Sequence, residues 1–267
     1  MAEPSVVRPD EVDPEIEPLF YPCNKLGLDA PFRWLRLGWQ DVKRAPRQSL
    51  TYGLGLVLFG YLITWLAWGE GTTVALFTLA MAFILSGPVL AFGLYSISRQ
   101  LEQGREPRLG ICWRESRNHL RNEMLFALVM LVVLLVWARA ASGVHIFFPS
   151  EQTGNWLDML PFLAVGSAVG ALFAAVIFAG SAVSLPMLVD RKADSITAVI
   201  TSVNAVLRNK KPMFIWASII VFCVIIGFAT GLLAFAVLLP LIGHATWHAY
   251  RDTIDASAWP VRANPED

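Results

Sequence analysis

Two histidines spaced by four residues are the part of this sequence whose residue types come closest to a chemical site. His244 and His248 lie in the stretch LLPLIGHATWHAYRD, residues 238–252, which ends a long apolar run. Side chains four residues apart share one face of a helix, so the two imidazoles could chelate a transition metal or form a protonation site. They could equally cap a helix end, because positive charge is stabilised beside the last helical carbonyls.

The residues around this histidine pair favour the helix-end interpretation. No acidic residue lies between the histidines, and Trp247, Tyr250 and Arg251 are typical of the point where a membrane helix meets water. We therefore predict that the pair binds no metal and no cofactor. His244, His248 and Arg251 remain candidates for protonation or for contact with a partner.

Arg139 and His145 are two further candidates, both in the stretch VWARAASGVHIFFP, residues 136–149. Arg139 follows a short apolar run, so we expect its side chain to reach the membrane boundary. Its functional alternative is a contact with an anion or a carboxylate, such as Asp158 or Glu151. His145 lies among aromatic residues that favour an interfacial belt, with a quinone or partner contact as the alternative.

The chain contains none of the sequence patterns that carry common catalytic chemistry. It has no G-x-x-x-x-G-K-[ST] loop, nucleophile elbow, H-E-x-x-H motif or paired carboxylates within an apolar run. The three cysteines, Cys23, Cys112 and Cys223, show no metal-ligand spacing. We therefore predict that the protein is not an enzyme.

The composition indicates a membrane protein. Of the 267 residues, 55% are hydrophobic and 16% are charged, whereas soluble domains carry roughly 25% charged residues. The formal net charge is zero, so no global field favours nucleic acid as a partner.

Uncharged runs predict an all-α bundle of six transmembrane helices. A span needs roughly 20 apolar residues, so the last run is long enough for two, with a turn at the sequence GFATG, residues 227–231. The runs are residues 48–69, 71–98, 124–138, 159–189 and 212–250.

The distribution of basic residues predicts the orientation. Of the 21 lysines and arginines, all but Arg139 fall on the same side of the six predicted spans. Because basic residues are retained on the cytoplasmic side, we predict a multi-pass protein of the bacterial inner membrane with both termini in the cytoplasm.

Three similar segments predict an internal repeat. WQDVKRAPRQSL from Trp39 aligns with WRESRNHLRNEM from Trp113 and with TSVNAVLRNKKP from Thr201, and each precedes a predicted span. Each repeat would combine a cytosolic amphipathic helix with a transmembrane hairpin. The second helix of each hairpin carries a proline expected to kink it, at Pro88, Pro186 and Pro240.

The repeats set the predicted domain organisation. They cover approximately residues 31–100, 107–192 and 193–252 of a transmembrane domain at 31–255. A disordered cytosolic tail at 1–30 precedes this domain, and a short cytosolic tail at 256–267 follows it.

The amphipathic segments predict contact with the bilayer surface. In the first segment, Phe32, Leu35, Trp39 and Val42 recur at helical spacing, and a similar stripe runs from Ile196 to Leu207. We expect these helices to lie against anionic headgroups on the cytosolic side, with docking of a cytosolic partner as the alternative.

A small-residue motif within the fourth apolar run predicts close helix packing. Gly166 and Gly170 form a G-x-x-x-G, which allows two helices to approach closely, either within the bundle or in a homodimer.

Three stretches carry a resemblance to a known family. RWLRLGWQDVKRAP, SGPVLAFGLYSISRQLEQG and LPLIGHATWHAYRD resemble bacterial integral membrane proteins of unknown function, some of which carry a cytochrome c oxidase subunit label. The resemblance covers roughly residues 30–255 and implies no catalytic residues. With four histidines in all, this chain cannot supply the haem and copper ligands of a catalytic oxidase subunit, so the label implies at most an accessory or assembly role.

These observations favour a non-enzymatic accessory, assembly or organising factor that acts through its basic cytosolic face. Other membrane protein subunits are its expected partners. The alternative is a small transporter or channel with a pathway along the pseudo-threefold axis, because internal repeats are common in transporters.

Reporter fusions test the predicted topology. With six spans and basic loops in the cytoplasm, fusions at Gly71, Gln152 and Ala229 should report the periplasm. Fusions at Gly104 and Ala193, together with one at Asp267, should report the cytoplasm. A periplasmic signal at Asp267 would mean that residues 212–250 form one span, and the threefold repeat would fail.

Overall fold

The computed structural model describes residues 21–69, 83, 87–110, 128–129, 131–133, 135–140, 142–143, 160–257 and 260–261. This part of the chain is helical, with two isolated β-bridges, Cys23 with Ile254 and Arg191 with Val261. Its nine helices are α1 (Ala30–Arg44), α2 (Pro46–Gly69), α3 (Gly87–Leu90), α4 (Phe92–Glu102), α5 (Leu160–Ser181), α6 (Ser184–Asp190), α7 (Ser195–Arg208), α8 (Lys210–Ala229) and α9 (Phe235–Thr253).

Three described segments are long and apolar enough to cross a membrane. They are Pro46–Leu66, Ala164–Asp190 and Lys210–Ala229. Large apolar side chains on α2 and α8, such as Leu58 and Phe222, are exposed, as expected where helices face hydrocarbon. About half of the predicted second span and part of the third lie outside the described residues, so six spans are not seen.

The last apolar run, residues 212–250, turns at the position predicted from the glycines of residues 227–231. α8 ends at Ala229, α9 begins at Phe235, and Gly231 adopts a φ of 59°. Glycine adopts this left-handed conformation without steric cost, which permits a tight reversal. The helix after the turn, α9, is not among the three candidate spans.

The three prolines predicted to kink helices lie in different local structures. The helix breaks at residues 182–183, between α5 and α6. Pro186 lies four residues after Ala182. The proline ring clashes with the Ala182 carbonyl, and proline has no N–H to donate to that carbonyl. Pro88 lies in the short helix α3, which a turn at Ala91 separates from α4. Pro240 lies within the continuous helix α9.

Helix α9 is the centre of the described structure. Contacts with α1, α2, α4, α6 and α8 surround it. Ser49, Gly53, Val57 and Gly60 form a buried stripe on α2, at the spacing of one helical face. Gly53 packs directly on the Ala236 carbonyl. This carbonyl receives no hydrogen bond within α9, because Pro240, four residues later, has no N–H to donate.

The amphipathic helices leave large members of each predicted apolar stripe exposed, although Val42 of the first stripe is buried. Helix α1 buries Trp34, Gly38 and Asp41, whereas Phe32 is 60% exposed and Trp39 is 42% exposed. Helix α7 has the same arrangement. It begins at Asp194, whose carboxylate accepts hydrogen bonds from the N–H groups of Ile196 and Thr197.

The buried face of α7 consists of small and polar residues. They are Ser195, Ala198, Thr201, Ser202 and Ala205, whereas Ile196 and Leu207 are exposed. Both amphipathic helices therefore present large apolar side chains outward.

An extended segment at residues 21–29 packs against the helices, so order begins before the predicted domain boundary at residue 30. The Asn24 N–H donates to the Thr253 carbonyl at 2.8 Å. The Asn209 side chain accepts from the Leu26 N–H at 2.9 Å and donates to the Asn24 carbonyl at 3.0 Å. Tyr21 is buried beside α7.

The two glycines of the predicted packing motif differ in α5. Gly170 is buried, whereas a Cβ at Gly166 would meet no heavy atom of the described residues within 4 Å. The described contacts therefore give Gly166 no helix neighbour, and they name no partner for the predicted homodimer.

Gly53→Ala is expected to weaken the crossing of α2 and α9, because the new methyl group would overlap the Ala236 carbonyl. Overpacking of this kind costs about 1–3 kcal/mol. Gly55→Ala is the matched control, since a Cβ there meets nothing within 4 Å; it should be neutral or raise stability by up to about 1 kcal/mol. Thermal unfolding of the purified protein in detergent measures both, and equal melting temperatures would contradict this packing.

Candidate functional site

The second half of α9 carries polar side chains that bond to several other helices. His244 is 0% exposed, and Trp247 and Tyr250 are also buried. The histidine pair of the sequence lies in this packed region.

Five side chains form a continuous hydrogen-bonded chain, called here the Asp41 cluster: Asp41 on α1, Ser49 on α2, Ser98 on α4, and His244 and His248 on α9. The Ser49 Oγ lies 2.9 Å from His244 Nε2, and the Ser98 Oγ lies 2.7 Å from His244 Nδ1. The Ser98 Oγ donates to Asp41 Oδ2 at 2.9 Å, and His248 Nε2 lies 2.8 Å from the same oxygen. Three helices therefore meet at the Asp41 carboxylate, and the His244 ring connects the fourth, α2, to them through Ser98.

One assignment of protons satisfies every bond of the Asp41 cluster. The Ser98 hydroxyl has a single proton, which it donates to Asp41. His244 Nδ1 must then carry the proton shared with Ser98, and in the neutral ring Nε2 accepts from the Ser49 hydroxyl. In this arrangement the donors are directed toward Asp41.

Burial explains the neutral state of His244. His244 is 0% exposed, and its two ring nitrogens contact serine hydroxyls. A charged ring at this position would lose its hydration and gain only one nearby carboxylate.

Close helix approach brings these short side chains together. A Cβ at Gly38 would lie 2.7 Å from the Ala245 nitrogen, so the missing side chain lets α1 rest on the backbone of α9. A Cβ at Gly243 would lie 2.5 Å from a methyl carbon of Leu94, which brings α4 equally close. Serine hydroxyls reach an imidazole only at such separations.

A second charged network, called here the Asp190 cluster, lies beside the first. Tyr250 Oη donates to Asp190 Oδ2 at 2.7 Å, and Arg191 Nε donates to the same oxygen at 2.9 Å. Arg251 reaches Asp190 at 3.3 Å and Glu102 at 3.0 Å. The network joins α4, α6 and α9 through charge-assisted hydrogen bonds.

Two further contacts complete the surroundings of α9. Trp247 Nε1 donates to Glu102 Oε2 at 2.9 Å. Trp34 Nε1 donates to Asp252 Oδ2 at 2.8 Å, and Arg33 pairs with the same carboxylate. These bonds fix the first half of α1 and the last turn of α9.

The structure brings three of the predicted site residues into these networks. His244 and His248 both belong to the Asp41 cluster, but their Nε2 atoms face different partners, so the ring orientations do not form a chelate. Arg251 belongs to the Asp190 cluster. Among the described residues, no group of three or more histidine, cysteine or carboxylate side chains could hold a metal ion.

The other predicted site residues lie elsewhere. Arg139 is an exposed side chain in the helical stretch Leu131–Ala140. His145, Glu151 and Asp158 are outside the described residues.

Trp247 and Tyr250, which the sequence suggested as interfacial residues, lie between helices in the structure. Both rings are buried and donate to carboxylates within the helical core, where they also contact each other with centroids 5.7 Å apart. Aromatic residues with a polar atom suit a membrane boundary and a polar core equally well, so their type alone did not decide between them.

Sequence reasoning missed Asp41, Ser49 and Ser98. One signal was present: Asp41 is an acidic residue in a strongly basic segment, and it lies seven residues after Trp34 on the same helical face. The two serines gave no signal, because serine is common both in membrane helices and on surfaces.

A comparison with protein families supports the class of the protein. Residues 76–190 match the sequence profile of a family described as predicted integral membrane protein, DUF2189. This match and the three candidate spans together describe a multi-pass integral membrane protein. The matched region is less than half of the chain, and of the Asp41 cluster it includes only Ser98.

The chain is therefore similar to the DUF2189 family over residues 76–190. The family description gives no activity and does not support the cytochrome c oxidase label. No curated protein and no solved structure matches the chain.

Ser98→Ala is expected to destabilise the protein by about 1–3 kcal/mol, because it leaves the buried His244 Nδ1–H without an acceptor and removes a donor from Asp41. Ser218→Ala is the control: Ser218 is exposed on α8 and bonds only to its own helix among the described residues, so the change should stay within about 0.5 kcal/mol. Thermal unfolding in detergent compares the two. An equal effect would show that the Asp41 cluster contributes nothing to stability.

Proposed function

We propose that this protein is a non-enzymatic accessory, assembly or organising factor of the membrane, held against anionic headgroups by the outer face of α1. The observation that carries the proposal is the division of α1 into two faces. One face binds α9 through Trp34, Gly38 and Asp41, and the other exposes Phe32 and Trp39. A helix so divided can link a bilayer surface to the core of the protein.

The outer face of α1 has the chemistry of a headgroup-binding surface. The Lys43 ammonium lies 5.6 Å from the centroid of the Trp39 ring, a separation that allows a cation–π interaction. Arg36 lies three residues before Trp39 and is also exposed. Aromatic rings at the acyl boundary with basic groups in the headgroup layer are the usual arrangement of interfacial helices.

Helix α7 and the start of α8 add a second surface of the same kind. Ile196 and Leu207 are exposed on α7, and Arg208, Lys210 and Lys211 follow directly. A basic cluster next to an apolar face favours anionic lipid. Both surface helices precede a candidate span, which agrees with the proposed repeat.

The polar groups of the core support a structural and not a catalytic role. Both ring nitrogens of His244 have partners within the Asp41 cluster, as do both hydroxyls that contact it. Ser49, Ser98 and His244 are also at most 1% exposed, a burial that supports a role in holding the helices together. We extend the proposal to the orientation predicted above, with both termini in the cytoplasm of a bacterium and the basic helices on that side.

Spin labels on α1 test the proposal in full-length protein reconstituted into lipid nanodiscs. In a variant whose three cysteines are replaced by serine, Phe32→Cys places a label on the outer face, and Gln40→Cys places one on an exposed polar position. In anionic nanodiscs the label at 32 should be accessible to oxygen and shielded from an aqueous nickel chelate, because it lies in the acyl boundary. The label at 40 should be accessible to the chelate.

A charge reversal separates headgroup binding from simple burial. Lys43→Glu should make the label at 32 more accessible to the chelate in anionic but not in zwitterionic nanodiscs, and Arg44→Glu, which changes the same charge one position away, should do so less. Equal accessibility of positions 32 and 40 would contradict the headgroup contact. Solute flux that depends on the protein in liposomes would favour the transporter alternative.

A further inference from the structure

Residues 21–26, called here the strap, lie in a groove between α7 and the last turn of α9. Ala198, Thr201 and Ala205 form the floor of the groove on α7, and residues 253–255 form its edge. We propose that this groove is a binding site for an extended peptide, filled by the chain's own strap. We further propose that the strap leaves the groove and returns, and so sets whether the end of α7 is held to α9.

The helical side of the groove recognises the backbone of the strap. The Asn209 side chain bonds to two peptide groups at once, accepting from the Leu26 N–H at 2.9 Å and donating to the Asn24 carbonyl at 3.0 Å. The Tyr21 N–H donates to Thr201 Oγ1 at 3.1 Å. These bonds require an extended backbone and place no demand on most of the strap's side chains.

The other side of the groove pairs with the strap as a short antiparallel ladder. The Asn24 N–H donates to the Thr253 carbonyl at 2.8 Å, and the Asp255 N–H donates to the Pro22 carbonyl at 3.0 Å. Addition of an extended segment to a free backbone edge is a common mode of peptide binding, in which main-chain bonds supply affinity and a side-chain pocket supplies specificity.

One side chain anchors the strap. Tyr21 is 2% exposed and lies in the same cluster of buried side chains as Ala198 and Ala205, whose small size leaves room for the ring. The other five strap residues are at least partly exposed. A segment with few buried contacts and backbone bonds near solvent opens at a lower free energy than the packed helices beside it. The strap can therefore leave the groove while the helices stay folded.

The strap links the end of α7 to the last turn of α9. Asn209, where α7 ends and α8 begins, bonds to the strap, and the strap bonds in turn to Thr253. The other side of α7 is held separately, because the Ser202 Oγ donates to the Ala179 carbonyl of α5 at 2.8 Å. Release of the strap should therefore loosen residues 201–209 and leave the start of α7 in place.

A disulfide across the groove can close it in full-length protein in nanodiscs. Cys23 and Ile254 are opposed between the two ladder bonds, as a non-hydrogen-bonded pair. The Cα atoms of such a pair lie about 4.5 Å apart, a separation that a disulfide spans. With Cys112 and Cys223 replaced by serine, Ile254→Cys should form a disulfide with Cys23 on oxidation. Asp255→Cys is the control and should form far less, because neighbouring side chains of an extended segment point to opposite faces.

Hydrogen–deuterium exchange then measures the release at α7. Oxidation of the Ile254→Cys protein should slow exchange at residues 201–209 by about tenfold or more, because the disulfide keeps the groove filled. The reduced form carries the same substitutions and is the matched control, and the start of α7 should change less. Equal exchange in the two forms, with the disulfide verified by mass, would overturn the proposal. A disulfide that joins two copies of the chain would contradict filling by the chain's own strap.

Substitution of the anchor gives a second measurement in the chain with its three native cysteines. Tyr21→Ala should raise exchange at residues 201–209 by about tenfold or more, because the buried ring is lost. Leu28→Ala is the control: Leu28 follows the strap and is 56% exposed, so exchange should stay at the wild-type level. In the Ile254→Cys protein, oxidation should reverse the effect of Tyr21→Ala. Equal exchange in the two alanine variants would show that the strap does not hold α7.

A peptide added in trans tests the groove as a binding site. In full-length protein with Ile254→Cys and all three native cysteines replaced by serine, a synthetic peptide with the sequence of residues 21–28 should form a mixed disulfide at position 254. The reaction should be about tenfold faster than with a peptide in which alanine replaces Tyr21, because the ring supplies most of the buried apolar area. The peptide is used at about millimolar concentration, since the tethered strap competes at an effective concentration of this order. Equal rates for the two peptides would overturn the assignment of the groove as a peptide-binding site.

Discussion

A buried carboxylate must be surrounded by hydrogen-bond donors, and the arrangement of the helices around α9 follows from this requirement at Asp41. An unpaired charge in a low-dielectric interior is strongly unfavourable. Asp41 avoids that cost by accepting hydrogen bonds from Ser98 and His248, and Ser98 in turn accepts one from His244 Nδ1–H. Ser49 bonds to the other ring nitrogen of His244 and is the last member of this series of hydrogen bonds. Because each donor comes from a defined position on its helix, the cluster fixes the register and rotation of α1, α2, α4 and α9 together.

The cluster depends on helices that approach more closely than ordinary side chains allow. Gly38 brings α1 onto the backbone of α9, Gly53 brings α2 onto the Ala236 carbonyl, and Gly243 admits a leucine of α4. In a membrane protein, where lipid is as apolar as a leucine side chain, such packing and the hydrogen bonds it permits replace much of the hydrophobic driving force. Pro240 contributes as well, because it leaves a carbonyl exposed at the point where Gly53 packs.

The same logic explains the two surface helices. In a soluble protein the apolar stripe of an amphipathic helix faces the core, but α1 and α7 direct large apolar side chains outward as well. The buried face of α7 consists of small and polar residues, and that of α1 combines Trp34 with Gly38 and Asp41. For an integral membrane protein this arrangement places the apolar stripe where lipid can cover it. Helix α1 then connects two environments, with Trp39 and Lys43 on its outer face and Asp41 on its inner one.

The sequence by itself determined the membrane character, the helical class, the turn near Gly231 and the break before Pro186. Each of these follows from local composition or backbone chemistry, which act over a few residues. It also identified His244 and His248 as side chains on one helical face. Only the tertiary structure decided that they bind Asp41 and two serines and not a helix end, because those partners lie some 150 to 200 residues away along the chain. Periodicity shows which residues share a face, but the identity of the facing helix depends on how closely the backbones can pack.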